Sequence, residues 1–299
     1  VSAKERFTGF LLIDKESGWT SHDVVAKVRG LTGKRKIGHA GTLDPMATGL
    51  VVLGLGKATR LLRFVQEAPK EYVARARFGV ATDSLDADGA VLSREPMPVS
   101  EAEVVTAMSR FVGRVAQIPP MVSARKVEGR RLYELAREGI EVEREARTVE
   151  ISSLELLDFA PSDYPEVAFR VVCSKGTYVR TLADDVARAL GGRAHLTSLR
   201  RLRNGSLRVD DAHSVDEVAA AGPDWRDLAL PAAAGLPDLP QVTVGDDAKV
   251  AVRNGVVFQA AALVDGVDDG PVRLVDNAGA LLAVYRVGAG RAKAEVVLS

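Results

Sequence analysis

The segment that most constrains this chain is Gly38-His39-Ala40-Gly41-Thr42-Leu43-Asp44-Pro45-Met46-Ala47-Thr48-Gly49, which runs directly into the apolar stretch Leu50-Val51-Val52-Leu53. Glycine relaxes the steric limits on the backbone and lets a large ligand approach, while Pro45 fixes its own φ and restricts Asp44 before it. The pattern presents one carboxylate rigidly beside a buried strand. On local chemistry alone the plainer reading is an Asp-Pro turn shaped by glycines.

The surrounding pattern supplies strands and helices in alternation. Phe7 to Ile13 reads as an apolar strand, followed by a turn and by a helix from near His22, capped by Ser21, with Val24, Val25 and Val28 on its apolar face. Lys70 to Gly79 has period two, with Tyr72, Ala74, Ala76 and Phe78 on one face. Tyr72 therefore falls near a strand start, where the simple role is packing. Ser100 with Glu103, and Ser214 with Glu217, have the capping-box spacing and predict helices over 100–112 and from 214 through Ala221. Val149 to Phe159 and Glu166 to Cys173 read as strands. After Lys175-Gly176, the recurrence of Tyr178, Leu182, Val186 and Leu190 predicts a helix with a buried stripe. Arg180 lies off that stripe in the first turn; it either faces a cleft or, as local sequence favours, meets solvent or pairs with Asp184.

Two regions stand apart. Gln117 to Gly139 reads as a protruding basic insert, Pro-rich and extended at first, with a short helix over Arg131 to Glu138 stopped by Gly139. The Pro/Gly-rich passage from Leu230 to Pro240 reads as a linker that divides residues 1–235 from a small β-rich unit over 236–299. In that unit Val242 to Val244, Val272 to Val275, Leu281 to Val287 and Ala294 to Leu298 are strands, and Asp276-Asn277-Ala278-Gly279 is a hairpin turn.

Composition narrows the function classes. With 299 residues, 46% of them hydrophobic, the chain can bury a large core and is not disordered as a whole. One cysteine excludes an internal disulfide framework and points to a reducing, cytoplasmic location. No apolar run is long enough to span a membrane. His22, His39, His195 and His213 form no compact motif with that cysteine, so no metal site is expected. The 40 basic and 40 acidic residues cancel, so net charge gives no sign of a polyanionic partner. Charge can still be segregated: Lys34 to Lys36, Arg125 to Arg131 and Arg200 to Arg203 are local basic clusters, each by itself as consistent with a solvated face as with a nucleic-acid footprint.

The twelve-residue loop resembles the signature loop of the TruB family of tRNA pseudouridine synthases, in which the catalytic aspartate matches Asp44. Separate segments strengthen the resemblance. Gly9 to Ser21 is similar to the family's opening motif, with Glu16 where proline is usual. Lys70-Glu71-Tyr72 matches its tyrosine motif, Cys173 to Leu182 its basic-residue motif, and Leu199-Arg200-Arg201 its late active-site segment. Gln117 to Ala124, with Lys126, Gly129 and Tyr133, resembles its RNA-gripping insert, with Val122 in place of a common aromatic residue.

The resemblance implies an α+β pseudouridine synthase fold with a mixed, largely antiparallel central sheet and a small PUA-like C-terminal domain. It implies a standalone, monomeric bacterial-type enzyme that flips a T-loop uridine out of the tRNA T arm and isomerises it, with no cofactor, guide RNA or accessory protein. Asp44 is then the nucleophile or charge stabiliser at ribose C1′, Arg180 its partner, and Tyr72 a stacking group that could also assist loss of the C5 proton. Leu199, Tyr178 and Lys15 belong to the substrate pocket. His39 enters the space vacated in the T loop, and Arg125, Lys126 and Tyr133 contact RNA. An RNA-binding or RNA-folding module without isomerase activity, and an RNA-guided rRNA synthase, are the alternatives.

Overall fold

The computed structural model describes residues 7–298 apart from 122–125, 128–129, 132–139, 141 and 265. The N-terminal portion holds strands β1 (Gly9–Lys15), β2 (Ile37–His39), β3 (Thr48–Leu55), β4 (Lys70–Phe78), β5 (Val80–Thr82), β6 (Val91–Arg94), β7 (Gly113–Gln117), β8 (Lys126–Val127), β9 (Arg130–Arg131), β10 (Arg147–Ala160), β11 (Glu166–Cys173), β12 (Ala194–Asn204), β13 (Leu207–Arg208) and β14 (Leu230–Pro231). Its helices are α1 (Ser21–Thr32), α2 (Leu62–Glu67), α3 (Glu101–Ser109), α4 (Val179–Ala189) and α5 (Val215–Ala221). The C-terminal portion adds β15 (Gln241–Thr243), α6 (Asp246–Arg253), β16 (Phe258–Gln259), α7 (Ala260–Leu263), β17 (Gly270–Val275), β18 (Leu281–Gly288) and β19 (Arg291–Val297).

The main sheet runs β14-β1-β3-β12-β4-β11-β10-β7, with β2 also on β3 and β13 on β12. All of these pairings are antiparallel except β12 with β3, which meet in parallel at Arg200↔Thr48 and Arg201↔Gly49. This is the mixed, largely antiparallel sheet expected. Both of its faces are covered, which explains the unbroken apolar run in β3. Val51 and Leu53 join Leu11 and Ile13 in the core beneath α1, α3 and α4, while Leu50 and Val52 join Phe10 and Leu12 in a second core against α2. That second core also takes in Val284 and Val296 of the C-terminal sheet β15-β17-β18-β19-β16, so the two portions share apolar packing. Arg60 Nη1 donates to Val297 O at 2.9 Å across the same junction. Among the described residues no helix is long and apolar enough to cross a membrane.

Three local expectations shift. The cap of α1 is Thr20, in a reciprocal capping box with Asp23, because the Ser21 hydroxyl is taken by Leu43, whose N–H donates to it at 2.8 Å. The passage from Leu230 to Pro240 is packed rather than loose: Leu230 and Pro231 pair with Phe10 and Gly9, and Leu236 is buried. Gly235 lies so close to the Phe10 ring that a Cβ there would fall 1.9 Å from it. Arg131, read as the start of a helix, lies in β9 of a hairpin with β8; residues 132–138 lie outside the described residues. The capping boxes at Ser100 and Ser214 form as expected.

The parallel seam sets the entry to the Asp44 loop. Gly49 has φ +99°, and a Cβ on it would sit 2.2 Å from the Arg201 carbonyl oxygen. Both the positive φ and the backbone contact oppose any side chain there. Gly49→Ala is expected to lower the unfolding free energy by roughly 2–4 kcal/mol, read by urea denaturation. An unchanged midpoint would show that the seam relaxes freely.

Candidate active site

Asp44 sits between β2 and β3 on a loop tied down at both shoulders. Leu43 N–H donates to Ser21 Oγ, Ala47 N–H donates to Asp44 O at 3.1 Å, and Pro45 O accepts from Gly18 N at 2.9 Å. Pro45 O also accepts from Lys15 Nζ at 3.2 Å. The same ammonium donates to Trp19 O at 2.7 Å and Glu16 O at 2.8 Å, so its three N–H groups hold the β1–α1 turn against the loop. Lys15 is 0% exposed, and burial pulls its pKa to about 8, with the Asp44 charge opposing that fall. It lies beneath the loop and positions it; it does not line the cleft.

Arg180 reaches Asp44 from the first turn of α4. Its Nε is 3.0 Å from Asp44 Oδ2, and its Nη1 donates to Asp86 Oδ2 at 3.0 Å and Ser84 O at 2.6 Å. The side chain is 3% exposed. Asp184 instead pairs with Arg188 and Arg193, each at 2.8 Å, which removes the local pairing for Arg180. One guanidinium thus lies between two carboxylates, a geometry that suits its planar fork of donors. Asp86, on the loop between β5 and β6, is fixed by Ser84 Oγ at 2.5 Å and Asp88 N at 3.2 Å. No local sequence pattern marks Asp86 as part of the site; only the fold brings it to Arg180, 94 positions away. Burial raises the Asp44 pKa above the ordinary carboxylate value; Arg180 opposes this most, and Asp86 adds to the rise.

Above this pair opens a cleft of ≈ 640 Å³ bounded by Gly41 to Asp44, Tyr72, Tyr178, Leu199 and the 174–177 turn. That is ample for a nucleotide. Leu199 is buried in its wall, and half-buried Tyr178 stands at the N-cap of α4. The Gln117 side-chain amide fixes the Tyr178 backbone, accepting from its N–H at 2.7 Å and donating to its carbonyl at 3.0 Å. Among the described residues, Lys70, Arg147, Lys175, Arg180 and Arg201 border the cleft, against Asp44 alone among the carboxylates. A chain of zero net charge therefore concentrates positive charge where a phosphate backbone would enter.

Arg201 sits in a run that local chemistry leaves open between a solvated face and a nucleic-acid footprint, and in the segment that resembles the family's late active-site motif. It is buried, donating from Nε to Leu50 O at 2.6 Å and from Nη2 to Gly41 O at 3.2 Å. Arg200 pairs with Asp14 through both nitrogens, at 2.7 and 3.0 Å, and Arg203 lies 3.6 Å from Glu71. The cluster braces the sheet edge around the loop. Lys70, whose Nζ donates to Gln66 O and Ala68 O, braces the other side; burial lowers its pKa to about 8.

Tyr72 is buried at the cleft, and burial raises its phenol above the ordinary value, against the pull of the nearby Arg201 guanidinium. A phenol shifted upward is a poor base near neutrality, so its ring face is its useful feature. Tyr72→Phe is expected to keep turnover within about tenfold, whereas Tyr72→Ala loses roughly 10²-fold or more, in single-turnover kinetics. Equal losses in the two variants would assign the hydroxyl the main role.

The other expected RNA residues are less connected. His39 is half-buried at the end of β2, edge-on to the His22 ring at 5.2 Å, and burial lowers its pKa. Lys126 has its backbone in the β8–β9 hairpin, and Arg125 and Tyr133 lie outside the described residues.

The family model "TruB family pseudouridylate synthase (N terminal domain)" matches residues 29–179. The chain is 47% identical to tRNA pseudouridine synthase B of Symbiobacterium thermophilum over 85% of its own length and 84% of that protein. It is 45% identical to the protein of the same name from Burkholderia mallei over 96% of each. Among solved structures, a Cbf5-Nop10-Gar1 complex superposes with TM-score 0.75 at 26% identity, covering 97% of this chain and 85% of that one. An H/ACA RNP bound to a substrate RNA containing 2′-deoxyuridine gives TM-score 0.74 at 25% identity, covering 97% and 85%. The chain belongs to the TruB family of pseudouridylate synthases.

Proposed function

We propose that this enzyme converts a uridine in the T loop of tRNA to pseudouridine, acting as a single cytoplasmic chain without cofactor, guide RNA or accessory protein. The observation that carries this reading is the ion pair between Asp44 and Arg180 at the floor of a nucleotide-sized, cation-lined cleft. Arg180 keeps the carboxylate ionised and aimed, so that an oxygen can attack ribose C1′ of a flipped nucleotide or stabilise positive character there. The C1′–N1 bond breaks and its electron pair leaves with the uracil. Held between Tyr72 and Leu199, the base turns and C5 bonds to C1′, any Asp44 oxygen–C1′ bond breaking as its electron pair returns to the carboxylate; the C5 proton then departs, and N1 is protonated. Atoms are conserved, as an isomerisation requires.

Cations at the cleft mouth offset the cost of unstacking by taking phosphate contacts, and the insert around 117–148, with Arg125, Lys126 and Tyr133, grips the T arm. His39 fills the space that the flipped nucleotide leaves. The test is pseudouridine mapping on an unmodified tRNA transcript with the purified chain and a chelator present. Conversion of the T-loop uridine alone is expected; conversion elsewhere, or only with added guide RNA, would overturn the assignment.

A further inference from the structure

Gln117 stands in a place that packing alone does not explain. It ends β7, an edge strand of the main sheet, at a position that alternation turns inward, and it is 3% exposed. An apolar side chain is the ordinary occupant of such a position, because a buried amide costs free energy unless its polar atoms are bonded. Here both ends of the amide are spent on one residue 61 positions away, Tyr178. Oε1 accepts from its N–H at 2.7 Å, and Nε2 donates to its carbonyl at 3.0 Å.

The amide matches the backbone it grips. Tyr178 is extended, with φ −101° and ψ 106°, so its N–H and C=O point the same way, as in a residue paired across a sheet. A side-chain amide supplies the complementary acceptor and donor. Tyr178 caps α4 without a side-chain bond of its own, and its carbonyl also accepts the first helical bond, from Leu182 N at 3.0 Å. Arg180 follows two residues later. Its guanidinium is held at the head by Ser84 O and Asp86, while its backbone lies where Tyr178 starts the helix.

We propose that Gln117 is a positioning residue for the isomerisation: by fixing Tyr178 it sets the start of α4 and with it the aim of Arg180 at Asp44. The inference rests on the reading of Asp44 and Arg180 as the chemical pair. Failure of that reading shows separately, as parent-like turnover in Asp44→Asn, and would overturn this proposal with it.

Gln117→Met keeps the length and removes both bonds. Gln117→Asn keeps an amide but falls one methylene short, which covers the case in which the methionine variant folds poorly. With the full chain and an unmodified tRNA transcript, both should bind RNA within about threefold of the parent, while single-turnover conversion at neutral pH drops by roughly 10- to 10²-fold. The pH profile separates aiming from general support. The charged and titratable groups facing Asp44 among the described residues are Arg180 of α4, Asp86 of the β5–β6 loop, Lys15 of β1 and Tyr72 of β4. Neither substitution changes a charge, so a looser Arg180 is the route by which they would raise the pKa of Asp44. The acid limb of the rate should therefore move to higher pH, and the deficit should shrink as pH rises. Parent-like rates in both variants, a loss confined to RNA affinity, or a rate loss with the acid limb unmoved would each overturn the proposal.

Discussion

Asp44→Asn is expected to lower single-turnover pseudouridine formation by roughly 10³-fold or more while leaving tRNA binding within a few-fold of the parent. Asparagine keeps the shape and can still accept from Arg180 Nε, so the loop tethers to Lys15, Ser21 and Gly18 survive. It cannot carry the charge that ribose C1′ requires. Binding by contrast is expected to draw on exposed cleft cations such as Arg147 and Lys175, neither of which depends on the carboxylate. A variant that binds and still turns over at the parent rate would remove Asp44 from the chemistry.

The same residue ties activity to pH and stability with opposite signs. Its folded-state pKa is raised by burial, so the acid limb of the rate profile should lie above the ordinary carboxylate value of about 4. For an acid whose folded pKa exceeds its unfolded one, the cost to folding is fully present above the folded pKa. That cost is relieved as pH falls through the folded pKa, because the folded protein then takes up the proton first. Asp44→Asn should therefore melt higher than the parent at neutral pH, with the gap narrowing on acidification. A melting point below the parent's at neutral pH would mean that Arg180 gains more from Asp44 than burial costs.

The parts of this site that are legible in the sequence are those encoded within a few residues of each other. Gly-rich backbone around Asp44, the period-two pattern through Tyr72 and the reciprocal caps at Ser100 and Ser214 each reflect local geometry, and the fold uses them as read. Family resemblance added the link from Asp44 to Arg180, which no spacing could supply. What stayed hidden depends on sheet closure. Asp86 and Arg180 are 94 positions apart, and they meet only because Leu196 N–H of β12 bonds to Leu85 O and draws the β5–β6 loop against the sheet. Local chemistry left Arg201 open between surface charge and a nucleic-acid footprint, because its acceptors, Leu50 O and Gly41 O, are backbone atoms that carry no sequence signal. Thr20 displaced Ser21 as the helix cap for a similar reason, since the Ser21 hydroxyl had a distant backbone partner in Leu43.

Arg180→Met should show the largest combined effect. It removes the cation between Asp44 and Asp86 while filling the channel with a side chain of similar length, so the loss is electrostatic rather than a cavity. Breaking a buried pair by deleting one partner typically costs about 3–5 kcal/mol, and here two carboxylates and the Ser84 carbonyl lose their donor together. Asp44 then takes up its proton at still higher pH, and the rate at neutrality falls by roughly 10³-fold. The double variant Arg180→Met with Asp86→Asn separates the two consequences. Neutralising Asp86 removes the uncompensated interior charge, so urea midpoints should recover much of the loss, whereas turnover should stay low because Asp44 still lacks its partner. If turnover recovered along with stability, Arg180 would be a brace for the β5–β6 loop and Asp44 would keep its charge without it.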